Sequence, residues 1–225
     1  MNWQPLFLSL QIATIAMLVA LVIGTGLALL LVWKKLPLPD VVAALISTPL
    51  VLPPTVLGYY LLTIMGPHSL IGRAYHWVTG GDIIFTFKAA VIAATVGSIP
   101  LVVGAVKVGL DAIEPNLIAA ARTLGASPAR VLATITLPLA APGIIAGAML
   151  AFARALGDYG MTQMVASSRF DGFGIHNESP ASIFVIDELV ALREDAARNM
   201  AIATTLLGIV LLVLANRLTR RLQHG

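Results

Sequence analysis

The chain has 225 residues and a formal net charge of +3, and it is 58% hydrophobic but only 11% charged. In soluble domains about a quarter of the residues are usually charged. This composition therefore excludes an ordinary soluble protein and predicts a membrane protein. The basic residues stand at the ends of apolar runs and do not cluster on one face, so nucleic acid is not an expected partner. The lack of cysteine excludes disulfides and thiol chemistry.

The first two apolar runs predict membrane spans over residues 6–33 and 41–65, since about 20 residues of helix cross a hydrocarbon core about 30 Å thick. Residues 6–33 carry no charge and are followed by Lys34 and Lys35, in a short loop. The second run contains Pro53 and Pro54. Prolines lack an amide donor, and the carbonyls that they leave unpaired need a protein partner or a wet cavity inside lipid. The pattern therefore predicts a kinked helix beside a pathway.

Polar side chains within the spans are candidates for lining that pathway. Thr55 and Tyr59 follow the two prolines, and Tyr59 is equally well explained as part of an aromatic belt at the membrane surface. Thr95 and Ser98 lie in a third predicted span over 83–106, where small polar residues serve equally well as a contact surface between helices. The pathway candidates are Pro53, Pro54, Thr55, Tyr59, Thr95, Ser98 and Thr162.

The segment between the second and third spans, residues 66–82, predicts an external loop with a short interfacial helix around Tyr75 and Trp77. His68 and His76 are eight residues apart, and the sequence offers them no supporting cysteine or carboxylate. Metal binding is therefore not expected.

Two further spans are predicted over 138–157 and 198–216. The helix of the first of these spans is expected to continue through Arg154, Asp158 and Tyr159 toward Ser167. Arg154 and Asp158 are four residues apart, so on one helix they would share a face and pair, which lowers the cost of charge near lipid. A direct role with the substrate is the alternative for this pair. Residues 181–192 are apolar on one face but too short to cross, and predict an interfacial or re-entrant half-helix. The expected architecture is all-α, a single polytopic membrane domain over 1–225 with five to six transmembrane helices.

Residues 107–137 form a polar segment between apolar runs and predict two helices joined by a turn. Leu117, Ala121 and Leu124 follow helical spacing. Gly125 is suited to end the first helix because glycine accepts a left-handed conformation cheaply. Ser127 predicts the N-cap of the second helix, followed by a proline at its first position.

This segment resembles the cytoplasmic loop of ABC importer permeases. The family signature is Glu-Ala-Ala, three residues, glycine, nine residues, isoleucine, one residue and Leu-Pro. Here it reads Ala119, Ala120, Ala121, Gly125, Ile135, Leu137 and Pro138. Ala119 departs from the family, which has glutamate there. The resemblance implies a coupling helix before Gly125 that sits in a groove of an ATP-hydrolysing subunit, with contacts from Ala119, Ala120, Ala121, Arg122, Gly125, Ala126, Ser127 and Pro128.

Over nearly the whole chain the sequence resembles molybdate/tungstate (ModB-type) permeases of type I ABC importers, through 49–59, 120–125, 136–144, 151–154 and 157–160. Sulfate and thiosulfate permeases share the later motifs, so a permease for another small oxyanion is the alternative. An ATP-independent channel or a membrane scaffold is the alternative of another class. The resemblance implies a second copy of the chain, an ATPase dimer and an external oxyanion-binding protein as partners.

The sequence contains no GxxxxGK[ST] loop, so ATP and Mg are expected on the partner subunit and no cofactor on this chain. It also lacks HExxH and GxSxG, so an enzyme is not expected.

Charge bias predicts the orientation, because basic residues are enriched in cytoplasmic loops. The side with the coupling segment holds Lys34, Lys35, Lys107, Arg122, Arg130, Arg217, Arg220 and Arg221, and the other side holds Arg73, Arg169, Arg193 and Arg198. The bias predicts an N-terminus outside the cell and a C-terminus in the cytoplasm. The expected location is the inner (plasma) membrane.

Overall fold

A computed structural model describes residues 2–33, 38–166, 170–172 and 174–223. In chain order the helices are α1 (Gln4–Trp33), α2 (Pro39–Val51), α3 (Pro54–Met65), α4 (Leu70–Thr79), α5 (Phe87–Asp111), α6 (Pro115–Thr123), α7 (Pro128–Val131), a π-helical segment (Leu132–Thr136), α8 (Leu137–Leu156), α9 (Gly160–Ala166), α10 (Ala181–Val190) and α11 (Glu194–Gln223). Two short strands, β1 (Phe170–Gly172) and β2 (Ile175–Glu178), pair antiparallel between α9 and α10. The helical polytopic class is confirmed, and the hairpin is a feature that the sequence analysis did not predict.

The core lies where α1, α5 and α8 cross, and small residues let their backbones approach closely. A Cβ on Gly143 of α8 would lie 2.7 Å from the Ala105 carbonyl oxygen of α5. A Cβ on Gly24 of α1 would lie 2.7 Å from Val102 Cγ1. These contacts leave room for no larger side chain, so the three helices form one tightly packed unit.

Four helical segments of the described chain are long and apolar enough to cross a membrane: Gln4–Trp33, Phe87–Asp111, Pro128–Leu156 and Glu194–Val213. The bent pair α2 and α3 makes a fifth if it is counted as one span. α5 begins at Phe87, four residues after the predicted start, because the Thr86 hydroxyl caps it by accepting from the Ala89 amide. The predicted loop at Lys34 and Lys35 lies outside the described residues.

The second apolar run is broken, not merely kinked. α2 ends at Val51, α3 starts at Pro54, and their axes differ by 109°. Pro53 and Pro54 explain the break, because neither has an amide proton and each pushes the residue before it into an extended conformation. Leu52 and Pro53 accordingly have ψ angles of 140° and 139°.

The predicted short helix around Tyr75 and Trp77 is present as α4. The Ser69 hydroxyl accepts a hydrogen bond from the Gly72 amide at its start, and Gly80, with φ 73°, ends it. The predicted half-helix at 181–192 is also present, as α10. Its first amide, on Ala181, donates to the hydroxyl of Ser9 near the start of α1, so α10 and the N-terminal end of α1 lie on the same side of the molecule.

Candidate functional site

The turn after α6 has the form that the sequence predicts. The Ala126 amide donates to the Ala121 carbonyl at 3.1 Å and the Gly125 amide donates to the Arg122 carbonyl at 3.0 Å. This pair of bonds is a Schellman motif, which requires a left-handed residue at the helix end. Gly125 occupies that position with φ 82°. The glycine is therefore required by the geometry of the turn.

The α6 helix lies on the surface and packs little against the rest of the chain. Most of its residues are exposed, including Ala119, Ala120 and Arg122, while Ile118 and Ala121 are partly exposed. Leu117 is 47% exposed and Leu124 is 88% exposed. Apolar side chains are thus exposed both on this short helix and directly after it.

A second helix starts directly after the turn, as predicted. The Ser127 hydroxyl accepts from the Arg130 amide and Pro128 stands at the first helical position. From Pro128 the chain stays helical to Leu156, through the π-helical segment, as a single span of 29 residues. One continuous helical segment thus connects the turn with the membrane domain.

The predicted pathway residues separate into two groups. Pro53, Pro54, Thr55 and Tyr59 lie at the break between α2 and α3 and are exposed. Thr95, Ser98 and Thr162 are buried within the protomer. Pathway lining stays a prediction for both groups.

The buried hydroxyls bond to neighbouring backbone and side-chain groups. Thr95 donates to the Val91 carbonyl at 2.7 Å. Ser98 donates to the Ala94 carbonyl at 2.7 Å and to the Ala151 carbonyl of α8 at 3.2 Å. Bonds of this kind satisfy a hydroxyl inside lipid, and the bond from Ser98 to Ala151 also joins α5 to α8. The contact-surface interpretation therefore accounts for Ser98 in the protomer.

Arg154 and Asp158 form the predicted pair, with Nη1 and Oδ1 3.1 Å apart, but they do not share one helix. α8 ends at Leu156, and Asp158 lies in the turn before α9. There Asp158 Oδ2 accepts from the amide and the hydroxyl of Thr162, at 3.0 and 2.7 Å. The prediction of a single helix continuing through Asp158 is wrong, because Asp158 acts as a cap for α9.

The start of α9 lies against the start of α3, which the sequence analysis did not predict. A Cβ on Gly160 would lie 3.0 Å from the Pro54 Cβ, and one on Gly58 would lie 2.8 Å from the Met164 Cβ. The available signal was the glycine at each position, but glycine spacing does not specify which helix is the neighbour. The break at Pro53 and the turn at Asp158 thus lie beside each other.

On the outer side of the predicted topology, Lys88 donates to the Tyr75 hydroxyl at 2.7 Å. This hydrogen bond, together with the charge of Lys88, lowers the pKa of Tyr75. His76 Nδ1 lies 3.3 Å from Asp82 Oδ1, so the structure supplies a carboxylate that the sequence spacing did not suggest.

The arrangement of helices identifies the fold. The chain is similar to the methionine ABC transporter MetNI in an inward-facing conformation, with a TM-score of 0.73, 19% identity, and coverage of 96% of this chain and 93% of that one. It is also similar to a bacterial ABC transporter involved in alginate import, with a TM-score of 0.71, 15% identity, and coverage of 97% and 78%. The fold is that of the membrane subunit of an ABC importer.

Sequence relatives define the family. The molybdenum transport system permease protein ModB of Escherichia coli K12 is 40% identical over 216 residues, 94% of this chain and 91% of the relative. ModB of Haemophilus influenzae is 38% identical over 224 residues, 99% and 96% of the two chains. The putative molybdenum permease YvgM of Bacillus subtilis is 38% identical over 183 residues, 81% and 79% of the two chains.

The chain belongs to the binding-protein-dependent transport system inner membrane component family, whose model matches residues 16–225. It is a multi-pass permease subunit of an ABC importer in the inner membrane.

Proposed function

We propose that this chain forms the translocation pathway for molybdate and tungstate oxyanions that an external binding protein delivers. The observation that carries the proposal is the 40% identity to a molybdenum permease over 94% of this chain and 91% of that relative. The aligned region includes both the membrane spans and the polar segment between them. The similarity to the molybdenum permease therefore applies to the pathway and to the coupling segment.

In this proposal two ATPase subunits bind and hydrolyse ATP with Mg, and two copies of this chain supply the pathway and bind no cofactor. The absence of a phosphate-binding loop from the sequence supports this division of roles. The exposed α6 helix, with Leu117 and Leu124 at its surface, supplies the contact with the ATPase. Residues 119–122 and 125–128 form that contact and its turn.

The mechanism follows from the continuous helix between Pro128 and Leu156. Closure of the ATPase dimer draws the two α6 helices together, and each long helix transmits the motion to the packed unit of α1, α5 and α8. The two copies then alternate between an inward-open and an outward-open state. Different contacts in the two states supply the free energy for the change.

This mechanism requires α6 in the cytoplasm and the N-terminus outside. The basic residues of the sequence support that orientation by the positive-inside rule. In that orientation α10, which contacts the start of α1, lies on the outer face, where the binding protein delivers its cargo.

Reconstitution tests the proposal. The permease and its ATPase are reconstituted into vesicles that enclose ATP on the ATPase side, the binding protein is added outside, and uptake of radiolabelled molybdate is followed. We expect uptake that requires the binding protein and that stops with an ATPase variant unable to hydrolyse ATP. An excess of sulfate should leave it unchanged. Sulfate uptake instead would move the assignment to another oxyanion, and uptake without ATP would favour a channel.

A further inference from the structure

Arg154 lies deep in the membrane domain. Its Nη2 atom is 3.6 Å from the position that a Cβ on Gly97 would occupy. Gly97 is ten residues beyond Phe87, the first residue of α5, which is about 15 Å at 1.5 Å per residue. Ser98, the residue after Gly97, donates to the Ala151 carbonyl of α8. Ala151 is one helical turn before Arg154, so this part of α8 lies at the same depth as Gly97. Arg154 is close to the end of α8, but α9 continues from that point to the level of Phe85, where the Phe85 amide donates to the Val165 carbonyl. With the start of α5 at the edge of a hydrocarbon core about 30 Å thick, the guanidinium lies near the middle of that core.

The Arg154–Asp158 pair is asymmetric. The Asp158 side chain is 1% exposed and the Arg154 side chain is 26% exposed. Both carboxylate oxygens are bonded inside the protomer: Oδ1 accepts from Arg154, and Oδ2 accepts twice from Thr162. The negative end of the pair is thus enclosed and held in place, while the positive end reaches the protomer surface.

A partly exposed guanidinium at this depth is costly against lipid, and intramembrane charges generally face the interior of the assembly or a water-filled cavity. The neighbouring surface is consistent with a cavity. Asp158 is followed by Tyr159, which is 38% exposed, and by Gly160, which touches Pro54. The exposed residues Thr55 and Tyr59 continue from that contact along α3.

We propose that Arg154 presents a fixed positive charge to the translocation pathway at mid-membrane depth and attracts the anion in transit, and that Asp158 is the positioning residue that holds it there. The inference deepens the proposed function and rests on it for the charge of the cargo, a tetrahedral dianionic oxyanion. Pairing with Asp158 weakens the attraction. A weak site suits transport, because a pore that held a dianion tightly would release it slowly.

Charge-selective labelling tests the position directly, and the cysteine-free sequence makes a single introduced thiol unambiguous. Tyr159→Cys leaves the Arg154–Asp158 pair intact. We expect small water-soluble thiol reagents to modify it in the assembled transporter, the anionic reagent faster than the cationic one. Arg154→Gln in the same background should remove the preference. The control is Val22→Cys, at an apolar position in the middle of α1 that is 75% exposed in the protomer, and it should stay unmodified.

An unreactive Tyr159→Cys in a folded transporter, or equal rates for the two reagents that Arg154→Gln does not change, would overturn the proposal. Labelling needs no transport. It therefore separates failure of this inference from failure of the proposed function.

Transport measurements on variants distinguish two roles of Arg154: attraction of the anion, and pairing with Asp158 alone. We expect Arg154→Gln to lower oxyanion uptake at least about tenfold, given the strength of charge interactions at low dielectric, and Arg154→Lys to recover part of it. The double variant Arg154→Gln with Asp158→Asn leaves no unpaired carboxylate, so it removes the structural cost of the single variant. It still lacks the positive charge in the pathway, so its uptake should stay low. Uptake at the wild-type rate in that double variant would show a purely structural pair.

Two controls complete the design. Lys107→Gln breaks an exposed pair of the same spacing, Lys107 with Asp111 at 3.5 Å, and should not change uptake. If wild type imports sulfate and not molybdate, the cargo assignment fails while the effect of Arg154 persists. If wild type imports oxyanion and Arg154→Gln imports it equally well, the role of Arg154 fails alone.

Discussion

The helices α5 and α6 are separated by three residues, and their surroundings are opposite. In the most apolar stretch of α5, 67% of the residues are buried, and its backbone touches α8 at Gly109 and Gly143. α6 lies on the surface with most of its residues exposed. α5 is held by the rest of the protomer, whereas α6 is held mainly by its own ends.

The difference suggests separate roles: α5 contributes to the stability of the membrane domain, and α6 contributes to contact with a partner. A helix of nine residues is marginal in water by itself. The Schellman turn at Gly125 defines its end, and the cap at Ser127 defines the start of α7. Changes in α5 or its neighbours should therefore affect folding. Changes around α6 should affect coupling to a partner and leave the fold intact.

Gly143→Ala should destabilise the packed unit. The added Cβ would lie 2.7 Å from the Ala105 carbonyl oxygen and 3.0 Å from Gly109 Cα, and overpacking of this kind costs about 1–3 kcal/mol. Thermal unfolding of the detergent-solubilised chain measures the loss. Gly26→Ala is the matched control, because a Cβ there meets nothing within 4 Å. Equal unfolding temperatures for the two variants would contradict close packing at Gly143.

Gly125→Val should uncouple ATP hydrolysis from uptake while the membrane domain stays folded. A β-branched residue is strained at φ 82°, by about 1–2 kcal/mol, so the turn after α6 should change shape. Uptake per ATP hydrolysed in reconstituted vesicles is the readout.

Gly80→Val supplies the control for Gly125→Val. It places the same strain at φ 73° at the end of α4, away from α6, and should keep coupling normal. Normal uptake by Gly125→Val itself would refute the role of the turn.

Leu124→Asp should weaken binding of the ATPase, since this side chain is 88% exposed and a charge at an apolar contact is unfavourable. We expect an affinity loss of about tenfold, corresponding to about 1.4 kcal/mol, measured by co-purification at graded ATPase concentrations. Leu192→Asp, at an equally exposed position near the end of α10 (86%), should leave ATPase binding unchanged. The same loss in both variants would mean that the effect is not local to α6.

Ser127→Ala should have the smallest effect, the loss of one N-cap worth about 1 kcal/mol. The expected result is a modest fall in uptake per ATP hydrolysed with unchanged thermal stability of the membrane domain. Ser69→Ala removes the comparable cap of α4, where Ser69 accepts from Gly72 at 2.8 Å, and should not alter coupling. A fall of the same size in Ser69→Ala would show that cap loss acts through general stability.

The coupling segment was predictable in detail because its signals are local. A left-handed position after a helix needs glycine, and a first turn needs a cap, so Gly125 and Ser127 identify their own conformations. The double proline predicted a kink, but the structure has a break there, and its angle of 109° depends on tertiary packing.

The region around Asp158 was not predictable in the same way. The spacing from Arg154 suggested one helix, but the Thr162 amide and hydroxyl offered Asp158 better partners and the helix ended at Leu156. The contact of Gly160 with Pro54 joins residues more than a hundred positions apart, and no local pattern specifies such a neighbour. The short β1–β2 hairpin was missed for a related reason, since strands of three and four residues are too short for a periodic signal.

The most direct test of the account is the accessibility of a single cysteine at Leu124 in intact cells and in inverted membrane vesicles. We predict that an impermeant thiol reagent modifies Leu124→Cys only in inverted vesicles, and that binding of the ATPase protects it. Modification in intact cells, from outside, would contradict the account, because α6 would then lie on the side of the membrane that the ATPase cannot reach.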